Sequence, residues 1–228
     1  MTPAIKRVRW KPSWRLVASR FPPVGLFDRV STAQELDLIM DIECLTNPRM
    51  REELGALTQV PTEHRVYGPG TTPIMAAFTH LNPAGSRFTN GQYGVYYAAK
   101  SIQTAVAETR FHRSRFLAAT KEPPIEIDMR SYAADIDAGL HDIRGLQDEL
   151  ADVYDPEPAH YGVAQSFAKT LRDVGSNGIV YSSIRDPGGE CVAVFRPRVL
   201  KPVTQGAHYC YVWDGVRITN VYVKTEFR

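Results

Sequence analysis

Residues Tyr209 to Val223 alternate in character on both sides of Asp214-Gly215, and this run narrows the possible folds most. Alternation at period two marks a strand with one face in a core, and Asp-Gly supplies the positive φ that a tight hairpin turn needs. Ile179-Val-Tyr181 and Cys191-Val-Ala-Val-Phe195 read as two more strands, joined across Asp186-Pro-Gly-Gly189. Ile125-Glu-Ile-Asp128 is a strand, Gly94-Val-Tyr-Tyr-Ala98 is β-prone and Arg65-Val-Tyr67 is a short candidate strand. Ser101 caps a helix running to Phe116, with Ile102, Ala105, Val106 and Thr109 as its inner stripe and Glu108 at the edge. Tyr161 to Val174 forms another helix, ended by Gly175 at a left-handed cap. Ile74 to Thr79 fits a helical turn or a strand equally. The sum is α+β: short, mostly antiparallel strands with helices packed on them.

The first 62 residues have a different texture and read as an N-terminal extension, a largely helical cover on a body spanning 63–228. Arg20-Phe-Pro-Pro-Val-Gly-Leu-Phe27 is too proline-rich for helix. Ser31, with Gln34 three positions on, starts one helix through Leu36, Ile39, Met40 and Ile42, and Met50 to Leu57 adds a shorter one. The basic start, with Lys6, Arg7, Arg9, Trp10, Lys11, Trp14 and Arg15, reads either as a loose tail or as a surface for an acidic partner.

Composition removes several functions. A formal net charge of +2, from 27 basic and 25 acidic residues, gives no field for non-specific nucleic-acid binding. Cys44, Cys191 and Cys210 are odd in number and lack any C-x-x-C pair, which argues against a disulfide framework and for a reducing cytoplasm. No apolar run reaches membrane-spanning length. The six histidines form no H-E-x-x-H or close carboxylate cluster, so no metal is expected.

Against this plain background an ordered polar set stands beside the apolar runs: Arg65, Arg87, Tyr97, Glu108 and Ser183. Guanidiniums stay charged and offer planar forks of donors suited to a diphosphate. A neighbouring aromatic ring stacks on a flat heterocycle, and a single glutamate can orient a ribose and stabilise positive charge at its anomeric carbon. Together these describe a dinucleotide, although no G-x-G-x-x-G turn supports hydride transfer. Each residue also has an ordinary reading: a strand end for Arg65, a surface pair for Arg87, a half-buried ring for Tyr97, a helix-face charge for Glu108 and a turn hydroxyl for Ser183.

The segments Gly85-Ser-Arg-Phe-Thr-Asn90, Tyr97-Ala-Ala-Lys-Ser-Ile-Gln-Thr-Ala-Val-Ala-Glu108 and Gly178-Ile-Val-Tyr-Ser-Ser-Ile-Arg-Asp-Pro-Gly-Gly189 resemble the RES-domain family, named for its Arg, Glu and Ser. The family pattern is met by Arg87, Tyr97, Glu108, and Ser183 with Arg185. Ser86 stands where that family has glycine, Phe88-Thr89 where Trp-Asn is usual, and Ser182 where proline precedes the serine. The resemblance implies an ADP-ribosyltransferase-like core and a toxin of a toxin–antitoxin pair that consumes NAD as substrate. It further implies that Arg65 and Arg87 hold the diphosphate or adjacent ribose, Tyr97 packs on the nicotinamide end, Glu108 stabilises the charged sugar, and Ser183 or Ser182 bonds nicotinamide or ribose. Arg185 belongs to the same dinucleotide-binding set. The implied partners are a cognate antitoxin carrying a DNA-binding domain and a host-protein acceptor. Mono-ADP-ribosylation of that protein is the favoured outcome, with NAD hydrolysis or phosphorolysis second. A non-catalytic partner-binding module is the competing class.

Overall fold

A computed structural model describes residues 2–19, 27–32, 34–35, 38 and 57–227. Its frame is one seven-stranded sheet: β1 (Ile5–Ala18), β2 (Tyr96–Ala99), β3 (Ile125–Asp142), β4 (Gly178–Ser182), β5 (Glu190–Val194), β6 (Thr204–Trp213) and β7 (Ile218–Lys224). The order is β1-β2-β5-β4-β3-β6-β7, and β1 also pairs with β3, which closes the first five strands into a ring. Every pairing is antiparallel except β3 with β4, where His141 and Asp142 face Ile179 and Val180. Among the described residues three complete helices pack on this frame: α1 (Thr72–Thr79), α2 (Ile102–Ala119) and α3 (Gly162–Asp173). The α+β expectation holds.

Strand alternation divides the apolar side chains into two cores. Val192, Val194, Val180, Tyr96 and Ala98 face the first, which α1 covers with Ile74, Met75 and Phe78. Cys191, Ala193, Ile179, Tyr181 and Ala99 face the second, where α2 contributes Ala105 and Leu117 and α3 contributes Ala164, Ala168 and Leu171. The segment left open between helix and strand, Ile74 to Thr79, is therefore helix, because its apolar residues cap one sheet face. Close approach of α1 to the chain entering β2 depends on Gly94, where a Cβ would lie 2.2 Å from Phe78 Cα and 2.5 Å from the Ala77 carbonyl oxygen. Backbone cannot move aside cheaply, so Gly94→Ala is expected to cost about 3 kcal/mol, read as a lowered denaturation midpoint. An unchanged midpoint would show that α1 shifts freely.

The basic start of the chain is a strand, not a tail. β1 runs beside β3 from the pair Ile5–His141 to the pair Ala18–Met129. Val8, Trp10 and Leu16 are buried, and each stabilises the fold by about 2 kcal/mol through the area it removes from water. Arg7 and Arg9 point outward and share Asp137. Pro12 interrupts the alternation, which hid the strand; it sits where the β1–β3 register shifts between Trp10 and Ser13, the kind of irregularity that tolerates a residue without an N–H. The division expected at residue 62 is thus bridged by the sheet, because residues 5–18 are one of its strands. Arg65-Val-Tyr67 is likewise not a strand: it follows a 3-10 turn (Thr62–His64) as irregular chain. Where residues 31–35 are described, Thr32 and Glu35 form the cap, with Glu35 N–H donating to Thr32 Oγ1 at 3.2 Å; Leu36, Ile39, Met40 and Ile42 of that expected helix, and most of 50–57, lie outside the described residues. No helix among the described residues is long and apolar enough to cross a membrane.

Candidate active site

The cleft with the most convergent polar chemistry, about 550 Å³, opens between α2, β1 and the turn from Asn82 to Arg87. The loop joining β4 to β5 reaches it through Ser183, which bonds the cleft residue Glu108. Ser101 caps α2 by accepting from Thr104 N–H at 3.1 Å, and Thr104 Oγ1 donates to Asp186 Oδ2 at 2.6 Å. That ties the helix start to the loop. Gly189 lets them meet, since a Cβ there would fall 2.6 Å from Thr104 Oγ1.

Within this loop Ser183 is buried and its hydroxyl is fully committed. Its oxygen accepts from the N–H groups of Arg185 at 3.1 Å and Asp186 at 3.0 Å, so its proton is directed outward. That proton goes to Glu108 Oε1 at 2.7 Å. The backbone thus fixes the serine, and the serine fixes the carboxylate. Of the two adjacent serines, Ser183 is the one whose hydroxyl meets Glu108; Ser182 ends β4, with its N–H on the Tyr154 hydroxyl. Cys191 Sγ lies 3.9 Å from the same oxygen, and burial followed by the Glu108 charge pushes its thiol far above the ordinary range.

Arg87 is 9% exposed, and its guanidinium hangs from backbone. Nη1 donates to the carbonyls of Val153 at 2.9 Å and Asp155 at 2.8 Å, and Nη2 to the Tyr161 hydroxyl at 3.2 Å. These bonds leave Nε–H and one Nη2–H for a ligand. Tyr97 builds the turn that carries Arg87: its hydroxyl accepts from Phe88 N–H at 2.9 Å and shares a proton with Ser86 Oγ at 2.7 Å. Burial raises the Tyr97 hydroxyl pKa well above the ordinary range, so it stays protonated. Its ring still lines the cleft, but its polar end is structural.

Two expected residues lie elsewhere. Arg65 spends its guanidinium on the carbonyls of Val60 at 2.8 Å and Leu57 at 3.3 Å and is not part of the cleft wall; the turn before it folds back and supplies those acceptors. Arg185 also stands behind the wall, stacked 3.4 Å over the Phe111 ring and bonded to the Pro156 carbonyl. That reading missed two arginines of the cleft wall, Arg113 on α2 and, more consequentially, Arg15. It lines the cleft from β1, donates to the Tyr97 carbonyl at 3.1 Å and lies 4.8 Å over the Tyr96 ring. The available signal was the strand alternation of the leader, obscured by Pro12.

Charge in the cleft is unbalanced. Arg15, Arg87 and Arg113 all line it, and among the described residues none of them forms an ion pair. Burial lowers the pKa of Arg15 and Arg113, yet a guanidinium remains charged. Cations withdrawn from water without a carboxylate partner, Arg87 buried and Arg15 and Arg113 half-buried, favour an anionic ligand. Among the described residues no three His, Cys, Asp or Glu side chains are grouped to hold a metal ion.

His112 stands one turn beyond Glu108, with Nε2 3.9 Å from Glu108 Oε2. Surrounding protein and the charges of Arg185, Arg87 and Arg115 hold its pKa down to about 4, so it is neutral at pH 7. Between about 4 and 6.5 the unfolded chain binds this proton and the folded chain does not, so stability falls as pH drops through that window. His112→Asn is expected to lose less stability than wild type between pH 7 and pH 5. Equal losses, measured as denaturant midpoints, would place the effect elsewhere, with His141 also held low by burial.

Comparison with known proteins agrees with the motifs. Residues 62–214 match the RES domain. The "Uncharacterized protein y4oC" of Sinorhizobium fredii (strain NBRC 101917 / NGR234) is 32% identical over 209 residues, covering 92% of this chain and 86% of that one. Among solved structures, a chain of the M. tuberculosis MbcT–MbcA toxin–antitoxin complex is similar at a TM-score of 0.46 and 11% identity, covering 96% of this chain and 87% of that one. All of β1 precedes the matched RES span, although its residues Trp14, Arg15, Leu16 and Val17 line the cleft.

Proposed function

The chain belongs to the RES-domain family, and from that premise we propose that it is a toxin of a toxin–antitoxin pair that cleaves NAD at the nicotinamide–ribose bond and transfers ADP-ribose to a host protein. The observation that carries this reading is Glu108, held by Ser183, in a cleft shared with guanidiniums that form no ion pair among the described residues. NAD matches that arrangement in charge: a diphosphate for the arginines, and a sugar that becomes cationic as nicotinamide departs.

Arg87 and Arg15 hold the diphosphate side, Arg15 taking the part first expected of Arg65. Glu108, oriented by Ser183, sets its negative charge against the oxocarbenium-like sugar, where such charge stabilises the transition state more than the ground state. Tyr97 presents its ring to the nicotinamide end and keeps the Arg87 turn in place. The core is used as an ADP-ribosyltransferase would use it. A cognate antitoxin with its own DNA-binding domain restrains the toxin by covering the cleft.

The test is nicotinamide release from NAD by the purified chain, with and without host lysate, followed by mass spectrometry of the lysate proteins. Release that lysate stimulates, with an ADP-ribose adduct on one protein, is expected. NAD loss without adducts would make the chain an NAD-degrading enzyme using water or phosphate. No release in either condition would leave a partner-binding module.

A further inference from the structure

The stripe of α2 that faces the cleft continues past Glu108 to Thr109, His112, Arg113 and Phe116, the spacing of one helix face. Along it the two oxygens of Glu108 have different surroundings. Oε1 receives the Ser183 hydroxyl and has Cys191 Sγ beside it. Oε2 has His112 Nε2 at 3.9 Å. That separation is too long for a direct hydrogen bond and wide enough for one hydroxyl or amine to sit against both groups. The side chain of His112 is 51% exposed and that of Glu108 21%, so a molecule arriving from solvent meets the imidazole first.

From this geometry we infer that His112 is the general base of the transfer step, taking the proton of the acceptor as the acceptor attacks the ribose carbon that nicotinamide leaves. The inference rests on the NAD-cleaving reading above and adds a residue to it. The step balances. The carbon–nitrogen bond breaks with its electron pair going to nicotinamide, which leaves neutral. A lone pair of the acceptor hydroxyl, amine or water forms the new bond to carbon. The acceptor's proton passes to Nε2 and then to solvent, so one NAD and one protonated acceptor yield ADP-ribosyl acceptor, nicotinamide and a proton.

The charges around His112 suit the role. Desolvation by the surrounding protein first, and then the charges of Arg185, Arg87 and Arg115, keep the imidazole unprotonated at neutral pH, which leaves its lone pair free. The same charges weaken it as a base. A bound diphosphate would offset the charge of Arg87 and strengthen the base only when substrate is present, and Glu108 stands ready to stabilise the imidazolium that forms.

The experiment compares wild type, His112→Ala and His112→Asn for nicotinamide release in the presence of acceptor lysate, equilibrium NAD binding and melting temperature. Each is assayed with and without free imidazole. Both variants are expected to lose roughly 100-fold in turnover while binding NAD as wild type does. Imidazole in the buffer restores turnover to His112→Ala and does nothing for a Glu108→Gln control. Full turnover in the variants overturns the inference. So does a loss matched by weakened NAD binding, or one that imidazole leaves unchanged. If wild type itself releases no nicotinamide, the NAD reading fails and this role falls with it.

Discussion

Glu108→Gln is expected to slow nicotinamide release by roughly 1000-fold while leaving NAD binding and the melting temperature near wild type. Glutamine is the informative replacement because it keeps the volume and the carbonyl oxygen that Ser183 Oγ bonds at 2.7 Å. Only the negative charge is lost. A charge that matters chiefly when the sugar becomes cationic lowers kcat and kcat/KM together and leaves ground-state binding alone. Turnover retained in Glu108→Gln would reduce Glu108 to a helix-face residue tied to a loop. Ser183→Ala should give a smaller loss in the same direction, since it frees the carboxylate to rotate without removing it.

Replacing Arg87 with methionine is expected to damage both binding and folding. The change removes every donor that reaches the Val153 and Asp155 carbonyls and the Tyr161 hydroxyl, leaving buried acceptors unpaired at a cost of about 3 kcal/mol. It also removes a cation from the cleft. NAD binding should weaken roughly 30-fold for a lost charge-assisted contact of about 2 kcal/mol. Arg87→Lys separates the two effects, because an ammonium keeps the charge but cannot span three acceptors fixed by a planar fork. Lysine restoring affinity without restoring stability is the outcome expected. Methionine binding NAD as wild type does would remove Arg87 from the ligand site.

Local pattern was enough for much of this molecule. The hairpin at Asp214-Gly215, the strands β4 and β5 and the helix capped by Ser101 were legible because each declares itself within one element, through period, cap or turn. Glu108, Ser183, Arg87 and Tyr97 were legible through their motif spacing, and all four are held by specific bonds: Glu108 to Ser183, Ser183 to its own loop, and Arg87 and Tyr97 to neighbouring turns.

What failed in the sequence reading failed for one reason. Arg65 and Arg15 are both arginines beside apolar residues, and nothing within either segment says which guanidinium reaches the cleft. The chain before Arg65 turns back and takes its donors with the carbonyls of Leu57 and Val60. Arg15 reaches the cleft because a strand interrupted by Pro12 pairs with residues more than a hundred positions away. The sequence by itself determined the element types, the balanced charge and the chemistry available to the site. Tertiary structure alone decided which donors were already spent and which charges were left unpaired, because that depends on acceptors brought in from distant segments.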